Sequence, residues 1–261
     1  MLPTPSTSHV AFERVYEPAE DSFLLLDTLS SENERAFLKQ RFSPHNFAGG
    51  RVPPAPFIVE IGTGSGVVLS FIHAHATAIF GRADVLTAGV DANRYACEAT
   101  VETIRVVEQE QEQKSHAFCL GNLVGDLGSP LKAGIVDVLI FNPPYVPTPN
   151  LPALPKPLEG SGGPTFEGDS KLLELSYAGG ADGMETTDRL LDTLPEMLSK
   201  DIGCAYVLLC AQNKPEDIKQ RLRSMGAEWR AETVGRSGKK GGWEKLQIVR
   251  IWRRPTKNAA Q

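Results

Sequence analysis

Hydrophobic residues in this 261-residue chain gather in short dense runs, separated by stretches with helical spacing, the rhythm of strands alternating with helices. From Pro18 to Arg41 the apolar positions Phe23, Leu24, Leu26, Leu29, Ala36 and Phe37 predict one or two helices. Phe42 to Pro56 is rich in Gly and Pro and reads as a connection. The run Phe57-Ile58-Val59-Glu60-Ile61 is strand-sized and leads through glycines into a helix-like stretch from Val67 to Phe80. A second strand, Val85 to Val90, ends at Asp91. A helix from about Arg94 to Glu110 follows, with Cys97, Val101, Ile104 and Val107 on one face and Glu and Gln on the other. A short third strand is expected at His116 to Leu120 and a fourth at Ile135 to Phe141, directly before Asn142. Thr148 to Ser170 is crowded with Pro and Gly and reads as a long mobile loop. A helix at Met184 to Leu198, a strand at Ala205 to Ala211, a helix starting at Pro215 and strands at Trp229 to Val234 and Leu246 to Trp252 complete the pattern.

This alternation predicts an α/β fold, a seven-stranded, mostly parallel Rossmann-like sheet with helices on both faces. It forms a single domain over 15–255, after a flexible N-terminus (1–14) and before a short tail (256–261). A hydrophobic fraction of 41% suffices for one sizeable core. The net charge of -5 argues against a nucleic-acid partner. Cys97, Cys119, Cys204 and Cys210 are scattered, without C-x-x-C spacing, and read as reduced thiols of a cytosolic or nuclear protein, with no metal site. Met1 to His9 lacks the pattern of a secretory signal, and no apolar run approaches the ~20 residues of a membrane span, so a soluble intracellular protein is expected. His73 and His75 lie two apart on a helix, point in different directions and read as partly buried or surface residues rather than metal ligands. Glu108 to Gln113 reads as a solvated helix end, and the basic stretch Arg236 to Lys257 as a charged turn and edge hairpin.

Three constellations carry chemistry. Glu60-Ile-Gly62-Thr-Gly64-Ser-Gly66 follows the first strand, where glycines allow a tight turn and close approach of a ligand. It lacks the Lys-Ser/Thr of a phosphate loop and the spacing of a dinucleotide fingerprint. Glu60 would repel a pyrophosphate but suits a cation such as S-adenosylmethionine. Asp91, at the end of the second strand, is placed to accept ribose hydroxyls, against the plainer role of helix N-cap. Asp126 is suited to an adenine amine, with Leu127 against the ring, and the plainer reading is a turn aspartate. Asn142-Pro143-Pro144-Tyr145 follows the fourth strand as a stiff loop. The Asn142 side-chain oxygen and Pro143 carbonyl can grip both hydrogens of a planar –NH2, aiming its delocalised lone pair at an electrophilic carbon, while Tyr145 stacks on the flat group. Glutamine amide and adenine amine fit this clamp equally well; a lysine needs deprotonation more than clamping.

These motifs resemble the HemK-type glutamine methyltransferases, which are class I S-adenosylmethionine-dependent enzymes. The stretch Val15-Tyr16-Glu17-Pro18-Ala19-Glu20-Asp21-Ser22-Phe23, together with Ala178-Gly179-Gly180-Ala181-Asp182-Gly183 and Asp188-Arg189, is similar to the eukaryotic and archaeal release-factor branch. The resemblance implies methylation of the glutamine in the Gly-Gly-Gln motif of a class I translation termination factor. It implies cofactor contacts from Ser22, Glu60, Gly62, Gly64, Asp91, Asp126, Leu127 and Asn142, and a substrate clamp from Asn142, Pro143, Pro144 and Tyr145. It also implies a heterodimer with a small zinc-binding activator protein; if the sheet has the usual order, the third strand, His116 to Leu120, is an edge with no proline or charge to protect it, and the activator is expected to add a strand there. Histone lysine and DNA adenine are the alternative substrates. About fifty residues precede the first strand, too few for the substrate-recruiting helical domain of the bacterial relatives, so the resemblance leaves recruitment to the partner.

Overall fold

Residues 2–44, 54–110, 116–153, 166–238 and 245–254 are described in the structure, a computed structural model, the side chains of 166–169 apart. Helix α1 (Glu20–Ser30) is separated from α2 (Glu32–Phe42) by Ser31, whose hydroxyl accepts the Glu34 N–H and so caps the second helix. Strand β1 (Phe57–Ile61) has the bounds its apolar run predicts. The stretch after the glycines is two helices, α3 (Val67–Ala74) and α4 (Ala76–Phe80), because His75 at φ -115°, ψ 20° breaks the helical path. Strand β2 (Leu86–Asp91), helix α5 (Arg94–Glu110) and strand β3 (Phe118–Val124) follow. Strand β3 lies C-terminal to its expected position and runs through Gly121 and Asn122, its register against β2 shifting between Thr87 and Gly89. Strand β4 (Val138–Phe141) is shorter than expected, since Val136 bridges to Leu198 instead.

Part of the expected loop 148–170 is helical: α6 (Phe166–Tyr177) begins inside it, while 154–165 lie outside the described residues. Then come α7 (Glu185–Met197), β5 (Cys204–Cys210), α8 (Pro215–Ser224), β6 (Trp229–Arg236) and β7 (Leu246–Arg253). The strands form one sheet in the order β3-β2-β1-β4-β5-β7-β6, with β7 antiparallel to both its neighbours and the other pairs parallel. The expected seven-stranded fold class is therefore the observed one.

Side chains alternating along each strand supply two cores. Ile58, Ile140, Tyr206 and Ile248 meet Leu25, Phe71 and Phe80 from α1, α3 and α4. Val59, Leu139, Val207 and Ile251 meet Leu191, Leu194 and Leu222 from α7 and α8. Residues 2–14, expected to be flexible, have fixed contacts: the Pro3 carbonyl meets His75 Nε2 at 2.8 Å, His9 meets the Thr103 hydroxyl at 3.1 Å, and Val10 is buried beside Ala96. No described helix is long and apolar enough to cross a membrane.

Candidate active site

The glycine turn is held by its own backbone. Gly62 N–H donates to Val90 O at 2.7 Å, and Gly64 N–H donates to Asp91 Oδ2 at 3.0 Å, so the first two parallel strands share one turn. Gly66, at φ +77°, begins α3; a Cβ there would stand 2.6 Å from Thr100 Cα, so only glycine lets α3 lie this close to α5. Asp91 Oδ1 accepts the Asn93 N–H at 2.8 Å. Burial raises the Asp91 pKa, and the N–H groups of Asn93, Gly64 and Thr63 oppose that rise. Glu60 is buried, accepting the Leu69 N–H at 2.9 Å. Desolvation lifts its carboxyl well above the ordinary value; the Leu69 N–H pulls it down and Asp91 adds to the lift.

A cavity of roughly 250 Å³ opens beyond the C-terminal ends of β1, β2 and β4, where open α/β sheets bind ligands. It brings together every residue assigned from sequence to the cofactor: Ser22, Glu60, Gly62, Gly64, Asp91, Asp126, Leu127 and Asn142. Asp126 is ion-paired with Arg189, which also lines the cavity, and Leu127 takes a left-handed φ of 50° beside it.

Asn142 is oriented by a buried residue to which the sequence reading gave no role. Its Nδ2 donates to Asp21 Oδ2 at 3.1 Å, and Tyr16 OH donates to the same oxygen at 3.1 Å. The other oxygen, Asp21 Oδ1, accepts the Ser22 N–H at 2.6 Å and the Ser22 hydroxyl at 3.2 Å. An ionised carboxylate only accepts, so the amide nitrogen must face Asp21 and the amide oxygen must face away. That oxygen, Asn142 Oδ1, is buried and has no hydrogen-bond partner among the described residues. A buried acceptor left unpaired costs about 1–3 kcal/mol, a cost that a ligand N–H would remove.

Of the other clamp residues, Pro144 lines the cavity, Pro143 is buried, and neither Pro143 nor Tyr145 is in the cavity wall. Tyr145 packs against the core on the α1–α4 side, so in this conformation it does not occupy the stacking position expected of it. What fixes its backbone is the glycine-rich segment 178–183. A Cβ on Gly179 would stand 2.5 Å from Pro144 O, and one on Gly183 would stand 2.0 Å from Tyr145 O. Buried Asn213 joins the two segments, its Nδ2 donating to Tyr145 O at 3.4 Å and to Asp182 O at 3.1 Å.

Asp21, Tyr16, Arg189 and Asn213 thus belong to the site without having been singled out by function. Asp21, Tyr16 and Arg189 lie inside motifs that carried the resemblance; Asn213 had no local signal. Leu172 and Leu175 of α6 form another wall, just beyond the Pro/Gly-rich stretch, in a segment to which the sequence reading assigned no element. The donor set fits S-adenosylmethionine: two buried or half-buried carboxylates, Glu60 and Asp91, suit a cationic ligand, and glycines at the turn leave room for it. Cys97, near Asp91, is no nucleophile, since burial pushes its thiol up to about 12.

No family model matches the chain. Curated relatives do. The chain is 33% identical over 253 residues to "Methyltransferase HEMK2" of Mus musculus, covering 96% of both chains. It is 33% identical over 256 residues to "eRF1 methyltransferase catalytic subunit mtq2" of Schizosaccharomyces pombe, covering 97% of this chain and 96% of that one. A "Putative protein N5-glutamine methyltransferase" of Methanocaldococcus jannaschii is 26% identical over 242 residues, 92% of each chain.

Proposed function

We propose, from the premise that this chain belongs to the HEMK2/mtq2 branch of the HemK-type methyltransferases, that it methylates the side-chain amide nitrogen of the glutamine in the Gly-Gly-Gln motif of a class I release factor. The observation that carries this reading is the Asn142 amide, whose nitrogen is held by Asp21 and whose oxygen is buried and without a hydrogen-bond partner among the described residues, in a residue that lines the cavity. An unpartnered acceptor asks for an N–H. A primary amide has two, and its nitrogen lone pair is delocalised into the carbonyl. The reading gives one hydrogen to Asn142 Oδ1 and the other to the carbonyl of Pro143, a residue outside the cavity wall in this conformation. Fixing both hydrogens fixes the lone-pair direction and favours the pyramidal nitrogen of the transition state, where positive charge develops. The paired Asp21 carboxylate prevents the Asn142 amide from turning its NH2 toward the substrate, which would repel it.

S-adenosylmethionine, when bound, supplies a methyl group on a sulfonium, ready for in-line displacement. Glu60 and Asp91 would hold its cationic and hydroxyl-bearing parts, and Ser22, Gly62 and Gly64 would line its path. Asp126 would take the adenine amine beside Leu127. Because Asp126 is paired with Arg189, that carboxylate is already oriented, with Oδ2 engaged by the guanidinium. No general base is needed: the product nitrogen, briefly cationic, is acidic enough to lose its proton to water.

The names of the relatives, one a methyltransferase of a release factor, support this substrate. The edge strand supports a partner. On β3, Phe118 and Leu120 are each 61% exposed and Val124 is 60% exposed, an apolar strand edge of the kind that pairs with another chain. We place the small zinc-binding activator there, adding a strand to the sheet, in the cytosol where release factors act. The test is methyl transfer in the presence of the activator to four acceptors: a Gly-Gly-Gln release factor, its Gln→Ala version, DNA and histone. The reading expects label in the first alone. Label in the Gln→Ala protein, or preferential transfer to DNA or histone, overturns it.

A further inference from the structure

Away from the cavity, at the opposite ends of the strands, His73, Glu108 and His116 converge from α3, α5 and the residues just before β3. One donor atom from each lies within 4.8 Å of the others. His73, expected to be partly buried or at the surface and not a metal ligand, is fully buried, and Glu108, expected to be solvated, reaches in over it. His73 Nε2 stands 3.1 Å from Glu108 Oε1, and His73 Nδ1 stands 3.2 Å from the Thr87 hydroxyl. His116 Nδ1 lies 2.9 Å from Ala117 O. A carbonyl only accepts, so His116 carries a hydrogen on Nδ1, and its neutral imidazole then has the lone pair on Nε2. Thr87 can hold His73 in the same tautomer. Each imidazole then has one nitrogen fixed by an oxygen and the other left as a ligand, the arrangement seen around metal-binding histidines.

We infer that this chain carries a divalent transition-metal site of its own, bound by His73, Glu108 and His116, with water completing the coordination. Between a buried imidazole lone pair and a carboxylate oxygen at 3.1 Å something positive must sit, either a proton or a metal ion. Two features favour the ion. Ligand atoms of a tetrahedral zinc stand roughly 3.4 Å apart, close to the His73–Glu108 separation, and two imidazoles on one such ion put their centroids roughly 5 Å apart. Those of His73 and His116 are 5.1 Å apart, with the ring planes inclined by 24° in a stacked pair. Two nitrogens and one carboxylate oxygen suit zinc and its neighbours rather than magnesium or calcium. The site joins α3 and α5 to the start of the exposed edge strand, so the ion's part is structural. It is distinct from the zinc of the proposed activator.

The experiment is a cobalt(II) titration of the full chain after chelator treatment, read by visible absorption and by competition with zinc, with thermal unfolding followed alongside. The wild type is expected to take up one ion with ligand-field bands of a four- or five-coordinate site and to gain in Tm. Glu108→Gln, a change at a partly exposed position, is expected to weaken binding by about 100-fold and to cancel the Tm gain, as is His116→Ala. Thr87→Val, which leaves the ligands and removes their support, is expected to cost about 10-fold. Absence of such bands in the wild type overturns the proposal. So does equal binding by wild type and Glu108→Gln, which would mean adventitious surface association only. If His116→Ala fails to fold, Glu108→Gln still decides.

Discussion

At the residue scale the chemistry depends on which way one amide faces. Asp21 accepts from Tyr16, Ser22 and Asn142 together, which an asparagine in its place could not do with a single carbonyl oxygen. Asp21→Asn should therefore lower kcat by about 10- to 100-fold, the value of a charge-assisted hydrogen bond. Binding of S-adenosylmethionine, measured calorimetrically, should change little by comparison. Equal losses in both would assign Asp21 to cofactor binding instead. Glu60 makes a pH-dependent counterpart. Burial raises its pKa in the apo fold, so the folded chain holds that proton more tightly than the unfolded chain does. Its contribution to apo stability is present at acid pH and lost as pH rises through the raised value. Binding of a cationic cofactor needs the carboxylate, so affinity should strengthen over the same rise. In Glu60→Gln both dependences should flatten, with weaker binding and an apo Tm at neutral pH no lower than wild type. Calorimetry across the acid-to-neutral range reads both, and a cofactor affinity indifferent to pH in the wild type would contradict the assignment.

At the scale of elements, the strands of the central sheet were legible because both of their faces are buried, which forces dense apolar runs such as Phe57–Ile61 and Cys204–Cys210. Strand β3 was misplaced because an edge strand carries no such constraint: Gly121 and Asn122 look like a turn, yet the shifted register against β2 accommodates them. The break at His75 and the start of α6 at Phe166 were equally hidden. The first depends on tertiary packing of two short helices, and the second lies inside a composition that suppresses any helical signal. Two substitutions test the elements that matter most. Gly66→Ala combines a left-handed φ with a clash against the α5 backbone and should cost about 2–4 kcal/mol in denaturant unfolding. A neutral result would mean that α3 and α5 are not so closely apposed. Leu120→Lys, on the exposed face of β3, should leave the stability of the chain within about 0.5 kcal/mol but weaken association with the activator at least 10-fold in a binding titration. Unchanged association would move the partner elsewhere.

At the scale of the whole molecule, one mostly parallel sheet gathers residues from positions 16 to 213 around a single mouth. The motifs after β1, β2 and β4 could be read in sequence because their order along the chain is the order of the turns that surround the cavity. The supporting residues could not, because Asp21 and Asn213 act through contacts 121 and 68 residues away in sequence. A net charge of -5 gives the molecule no attraction for polyanions, in keeping with a protein substrate. The central claim is that Asn142 holds a planar NH2 in place for methyl transfer. The most direct measurement is single-turnover methyl transfer to the Gly-Gly-Gln release factor by wild type and by Asn142→Ala, at saturating S-adenosylmethionine and with the folded state checked by thermal unfolding. The account predicts an intact fold and a rate reduced by at least about 100-fold, near 3 kcal/mol of lost transition-state stabilisation. A folded Asn142→Ala protein that transfers methyl at the wild-type rate would contradict it.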